Sequence, residues 1–111
     1  WYSLGTADML DVAFMGLHVA QMTHPAEMAR CFDMVTNCNA KIMNLEGYGL
    51  NVGDKASLVI LDAGNPTEAL RLRPDRLAVI AKGKVIVERS RNDAQLNISG
   101  RPASVRRRHE V

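Results

Sequence analysis

A chain of 111 residues with 47% hydrophobic content is long enough for one small domain and too short for two of ordinary size. Aromatics make up only 5% against six methionines, so the core must be aliphatic, with flexible side chains filling its gaps. The net charge of +2 belongs to one end: six arginines against Asp93 and Glu110 give residues 89–111 +4 and leave residues 1–88 at −2.

That asymmetry argues against a nucleic-acid-binding domain, because the basic residues do not line a folded face. Arg106-Arg107-Arg108 reads as a solvated tail. No apolar run approaches the ~20 residues needed to cross a bilayer, so no membrane partner is expected. Cys31 and Cys38, seven apart, read as reduced core thiols in a cytoplasmic protein rather than as a disulfide.

Trp1 to Gly5 reads as a loop. The opening lacks both a methionine and a start-like segment, which predicts a piece whose upstream part lies elsewhere. Thr6 is the expected N-cap of a helix over residues 7–22, with Asp8 in the first turn where the helix dipole favours an acid. Leu10, Ala13, Phe14 and Leu17 share one side of it, while Met9, Val12, Met15, Val19 and Met22 spread over the rest. A surface helix carries a narrower apolar stripe. This one needs neighbours on two sides, and so short a chain supplies few. Gly16 at mid-helix costs on the order of 1 kcal/mol against alanine, which suggests close backbone approach by another element.

Thr23-His24-Pro25 ends that helix and starts a second over residues 26–37, with Pro25 suited to its first turn. Met28, Cys31, Phe32 and Val35 form its apolar face, opposite Glu27, Arg30 and Asp33. A third short helix runs to about Asn44. Gly47, Gly49 and Gly53 then read as consecutive tight turns. Leu58-Val59-Ile60-Leu61 follows as a buried strand. Residues 67–73 predict a short helix ended before Pro74, and residues 77–81 and 84–88 predict a hairpin turning at Lys82-Gly83. From Ser90 the periodicity is lost, and residues 90–111 read as mostly disordered.

The candidates for chemistry are few. His18 lies mid-helix and reads as a packed histidine, His24 as a capping residue, and His109 as part of the tail. The three have no metal-site spacing. Asp8 and Asp11 read as a dipole partner and a salt-bridged acid rather than as a catalytic pair. Gly47-Tyr48-Gly49 lacks the following helix and the Lys-Ser/Thr ending of a phosphate loop. Asn97-Ile98-Ser99 matches the glycosylation pattern, which carries no meaning without secretion. Nothing in the sequence pairs a nucleophile with a base.

Thr36, Ala40, Leu45, Gly49, Gly53 and the run Lys55-Ala56-Ser57-Leu58-Val59-Ile60-Leu61 resemble the C-terminal signature of metal-dependent amidohydrolases, with residues 79–87 resembling the closing hairpin. Ser57 stands where relatives often carry Asp or Asn, and Met43-Asn44 where a Leu-Gly pair is common. Trp1-Tyr2-Ser3-Leu4-Gly5-Thr6-Ala7-Asp8-Met9-Leu10, continuing through Met15-Gly16-Leu17-His18-Val19-Ala20-Gln21-Met22, is similar to cytosine deaminase and its close relatives.

The resemblance implies an α+β fragment: the last helices of an amidohydrolase (β/α)8 barrel followed by part of the small C-terminal β-sandwich. Residues 1–45 would be the terminal barrel loop and helices, residues 46–88 the sandwich strands and residues 89–111 the basic tail. It further implies a divalent metal, Fe or Zn, in the full-length protein. That metal activates a water for hydrolytic deamination in pyrimidine salvage, and its ligands and the proton-shuttling glutamate lie upstream of Trp1. No metal ligand and no catalytic residue is then expected in this chain; only Trp1 and its neighbours, at the top of the final barrel strand, are expected near the substrate pocket, with Trp1 as a wall. The expected partners are the upstream barrel and, in the full-length enzyme, further copies of itself. Two other readings stand: a non-catalytic interaction or oligomerisation module, and an amidohydrolase acting on another nitrogen heterocycle such as an aminotriazine.

Overall fold

The computed structural model describes residues 5–90 and 94–105. Helices α1 (Met9–Val19), α2 (Pro25–Met34) and α3 (Asn37–Ile42) precede strand β1 (Leu58–Leu61). Helix α4 (Pro66–Leu72) leads into β2 (Arg76–Ala81) and β3 (Lys84–Glu88), and a short pair, β4 (Ala94–Gln95) and β5 (Ser104–Val105), closes the described chain.

Asp8, not Thr6, caps α1: its Oδ1 accepts from the Leu10 amide at 2.9 Å. Ala7 turns the chain at φ +58°, which delays the helix, and Thr6 instead donates its hydroxyl to Asp11 Oδ2 at 2.9 Å. The helix also ends earlier than its apolar run. Gln21 takes φ +55°, Met22 N–H bonds Leu17 C=O at 2.9 Å, and Gln21 N–H bonds His18 C=O at 3.3 Å. That is a Schellman closure, which satisfies the last carbonyls and reverses the chain. The same device ends α3, where Asn44 sits at φ +51° and Leu45 N–H reaches Ala40 C=O.

His24 caps α2 as expected, accepting from Ala26 N–H while Glu27 accepts from the His24 amide at 3.0 Å. The second helix stops at Met34 rather than continuing to Asn37. Thr36 donates its hydroxyl back to Phe32 C=O at 2.9 Å and leaves helical backbone geometry, the competition that makes threonine a poor interior residue. Asn65 caps α4 through Glu68 N–H at 2.9 Å, with Pro66 in the first turn, so α4 starts one residue before the sequence expectation.

Leu10, Ala13 and Leu17 of α1 meet Cys31 of α2 and Leu70 of α4, and Leu70 is completely buried. The Cys31 thiol donates to Ala13 C=O at 3.3 Å. A Cβ on Gly16 would stand 3.9 Å from Cys31 Sγ, an ordinary contact, so α2 does not itself require glycine there.

The other side of α1 is open: Met9, Val12, Met15 and Val19 are exposed, Met15 at 59% and Val19 at 81%. The expectation that this chain cannot cover its first helix is met.

The sheet runs β1-β2-β3, antiparallel throughout, pairing Leu58 with Ile80, Val59 with Val79 and Val79 with Val87. Lys82 and Gly83 both have positive φ, the two-residue turn whose twist suits a hairpin. The turn rests on the preceding loop, with Gly83 N–H bonding Ala56 C=O at 2.8 Å and Lys82 N–H bonding Ser57 Oγ at 3.1 Å. Val85, Ile86 and Val87 of β3 are exposed on both faces of the strand.

Gly49 is needed where it stands: at φ +152°, a Cβ there would lie 2.4 Å from Asp54 Oδ2. That oxygen accepts from the backbone and side chain of Asn51 and closes the turn.

Within the basic tail, residues 94–105 form a short strand pair. Ala94 pairs with Val105 and Gln95 with Ser104 around a turn at Gly100 (φ +79°). Ser99-Gly100 turn chemistry prevails locally over a composition typical of disorder. Arg106, Arg107, Arg108 and His109 lie outside the described residues.

Leu70→Ala is expected to destabilise the protein by about 2–5 kcal/mol, because three helices meet on that side chain. The measurement is the shift of the urea unfolding midpoint. A loss under about 1 kcal/mol would place the core elsewhere.

Candidate functional site

An open cleft of about 1370 Å³ lies between the helices and the sheet. The start of α1, the end of α2, the glycine turns and the inner ends of β1 and β2 enclose it. Asp8, Asp11, Arg73 and Arg76 all line it, and they are paired with one another. Arg76 bonds Asp8, the residue that caps α1. Arg73 bonds Asp11 at 3.2 Å and lays its guanidinium over the Phe14 ring, 4.2 Å from the centroid. The positive φ of Arg73 (+45°), where α4 ends, aims the side chain back at α1.

The expectation for the two acids is therefore met, and the arginines that complete it are what sequence reading misses. Arg73 and Asp11 are 62 positions apart. Only their opposite charges hint at a meeting.

The two histidines among the described residues, His18 and His24, serve the helices. The His18 ring sits 4.3 Å from the Phe14 ring, and its Nδ1 lies 2.7 Å from Phe14 C=O. It is exposed rather than packed inside, because α1 has no neighbour on that side among the described residues. His24 Nδ1 is occupied by the α2 cap.

Cys38 is not the core thiol expected. It is only partly buried and donates to Asp33 Oδ2 at 3.1 Å, while Asn37 Nδ2 donates to Asp33 Oδ1 at 2.6 Å. Those two donors hold the Asp33 carboxyl below its ordinary range, Asn37 foremost. The bond to Asp33 raises the Cys38 thiol above its own. The carboxylate's contribution to stability is thus present above the ordinary aspartate range and fades as pH falls through the lowered value. The thiol's is present below the ordinary cysteine range and fades as pH rises through the raised value.

Among the described residues no three His, Cys, Asp or Glu side chains converge as a metal site would require. Trp1, the expected wall of a substrate pocket, lies outside the described residues. The cleft offers paired charges and apolar walls, an arrangement that fastens elements together.

Helices feeding a three-stranded antiparallel sheet, with apolar residues exposed on both, define an α+β unit. Residues 1–88 match the sequence profile of the Amidohydrolase family, and the chain belongs to that family. It is similar to 5-methylcytosine deaminase from Klebsiella pneumoniae. In complex with 5-fluorocytosine that structure matches at 38% identity and TM-score 0.80, over 86% of this chain and 24% of the other. The same deaminase liganded with phosphonocytosine matches at 40% identity and TM-score 0.76, over 83% of this chain and 23% of the other. N-isopropylammelide isopropyl amidohydrolase from Pseudomonas sp. (strain ADP) is 30% identical over 89 residues, 79% of this chain and 22% of that protein. The chain thus spans less than a quarter of the length of these relatives, and the resemblance to cytosine deaminase-like amidohydrolases is borne out.

Asp33→Asn is expected to speed alkylation of Cys38 by iodoacetamide several-fold at pH 8, because thiolate is the nucleophile and the carboxylate opposes its formation. Peptide mass spectrometry reads the rate, with buried Cys31 as the internal reference. An unchanged rate would show that the Asp33 contact does not govern the thiol.

Proposed function

We propose that this chain is the C-terminal part of a cytosine deaminase-like amidohydrolase whose full-length form hydrolytically deaminates a pyrimidine or related cyclic amidine, and that it is not catalytic alone. On this reading residues 1–45 are the last loop and helices of the (β/α)8 barrel, residues 46–88 are strands of the small β-sandwich, and residues 89–111 are a basic appendage. Trp1 forms a wall of the substrate pocket. The full-length enzyme works in the cytoplasm in pyrimidine salvage, as an oligomer of identical subunits.

The observation that carries this proposal is the open apolar side of α1. Met9, Val12, Met15 and Val19 are exposed on a helix whose other side holds the core, in a chain matching less than a quarter of its relatives. The strand β3, apolar and exposed on both faces, supports it in the same way. Among the described residues no helix is long and apolar enough to cross a membrane, so a bilayer-spanning role does not account for the apolar side of α1.

A divalent metal, Fe or Zn, is implied by the family, and in such enzymes it activates the attacking water. The described residues do not fit it: no three ligands converge, and the His18 and His24 side chains are engaged within their own helices. The metal ligands and the proton-transferring acid are assigned to the rest of the protein. This chain supplies framework and pocket wall.

The similarity to N-isopropylammelide isopropyl amidohydrolase favours a second substrate class, the substituted triazines. The purified full-length protein distinguishes the two when assayed with cytosine, 5-methylcytosine and N-isopropylammelide, alongside the isolated chain. Turnover of a pyrimidine by the full-length protein and none by the isolated chain is expected. Preference for N-isopropylammelide would transfer the proposal to triazines, and turnover by the isolated chain would overturn the assignment of its role.

A further inference from the structure

The three-stranded sheet ends at β3, whose outer edge has no partner strand among the described residues. The strand reads Lys84-Val85-Ile86-Val87-Glu88, and all of it is exposed. An edge strand presents a row of unpaired backbone N–H and C=O groups, and proteins commonly protect such edges with charges or prolines inside the strand. Between Lys84 and Glu88 β3 has neither. Its central residues are β-branched, the type that favours strand pairing. Its charges stand only at the two ends, and neither makes an ion pair among the described residues.

Those two ends identify the occupant of the edge. When β3 is laid antiparallel on a copy of itself with Ile86 opposite Ile86, Val85 falls opposite Val87 and Lys84 falls opposite Glu88. The two-fold axis repeats each pair, so Lys84 meets Glu88 at both ends of the contact. Opposite charges directly across a strand pair stabilise it, and like charges destabilise it. Sliding the register by one residue sets Lys84 against Val87, or Glu88 against Val85, and forfeits both charge pairs. A bulge leaves Ile86 without a partner in β2. A bulge bends an edge strand, which can itself deter pairing. At a two-fold axis both copies carry the same bend at the same place, so neither strand is shifted against the other.

We propose that the outer edge of β3 is a self-recognition surface. Two copies of the full-length protein join there about a two-fold axis, Ile86 against Ile86, into one sheet ordered β1-β2-β3-β3-β2-β1. The proposal deepens the oligomer of identical subunits in the proposed function and rests on that part of it alone. The faces of β3, which that reading gives to the rest of the protein, are a separate surface from its edge. Exposed ion pairs add little affinity. Lys84 and Glu88 therefore fix register and partner, while backbone hydrogen bonds and the apolar side chains hold the strands. A strand this short buries less than a stable dimer needs, so it is one part of the subunit contact.

The test is sedimentation of the full-length protein beside Glu88→Lys, Lys84→Glu and the double exchange of both. Either single reversal sets two like-charge pairs across the axis, and the double exchange restores opposite charges. The unmutated protein is expected to form an even-numbered oligomer. Each single reversal is expected to raise the concentration for half-dissociation about tenfold or more, and the double exchange to return it to within about threefold. Where one reversal fails to fold, the other poses the same clash. A monomeric unmutated protein overturns the inference, and so does an oligomer indifferent to both reversals. A loss that the double exchange does not mend also overturns it and gives the edge to a strand from the rest of the same protein. Turnover of a pyrimidine in any of these outcomes leaves the deaminase reading standing. An oligomer that obeys the charge exchange but turns over no nitrogen heterocycle keeps the inference and ends that reading.

Discussion

Leu10, Ala13 and Leu17 bury one stripe of α1 against Cys31 and Leu70, and that single contact fixes where everything else in the helical part sits. A helix turns 100° per residue, so a chain with apolar residues nearly all round can satisfy only the side its neighbours reach. The short α2 and α4 reach one. Met9, Val12, Met15 and Val19 remain in water, an arrangement that a self-sufficient small domain avoids because large exposed apolar patches mark binding surfaces. The chain belongs to the amidohydrolase family and matches less than a quarter of the length of its relatives, and the proposed function assigns that face to the rest of the protein.

The second organising feature is the passage from helices to sheet. Asn44 reverses the chain after α3, Gly49 makes room for the Asp54 carboxylate, and Ser57 receives the hairpin turn at Lys82. Each residue is small or tolerant of positive φ because each stands where backbone passes close to backbone. The helical unit and the sheet are then tied a second time, by Arg76 of β2 on Asp8, while Arg73 on Asp11 ties the end of α4 to α1. The cleft is lined by charges that neutralise one another, which suits a joint between units better than a reaction centre.

Much of this is written in local patterns. The strand at Leu58–Leu61, the Lys82-Gly83 turn, the His24-Pro25 helix start and the incompleteness of α1 all follow from periodicity and turn chemistry. The helix ends are less legible. Gln21, Thr36 and Ala7 each adopt backbone angles that their residue types do not favour, and at Gln21 and Thr36 these go with hydrogen bonds back to His18 and Phe32 in the preceding turn. The partly buried setting of Cys38 and the Arg73–Asp11 pair are invisible for a related reason, since they depend on which elements meet. The hairpin of residues 94–105 escapes a reading by composition because one Ser-Gly turn is a local signal inside a biased segment.

The central claim is that the open side of α1 is covered in the whole protein. Methionine oxidation footprinting of the full-length protein tests it directly, since Met9 and Met15 are exposed at 45% and 59% here and sulfoxide forms at accessible methionines. The account predicts that both resist oxidation until the protein unfolds. Oxidation of Met9 and Met15 in the folded full-length protein, as fast as in a short peptide, would contradict it.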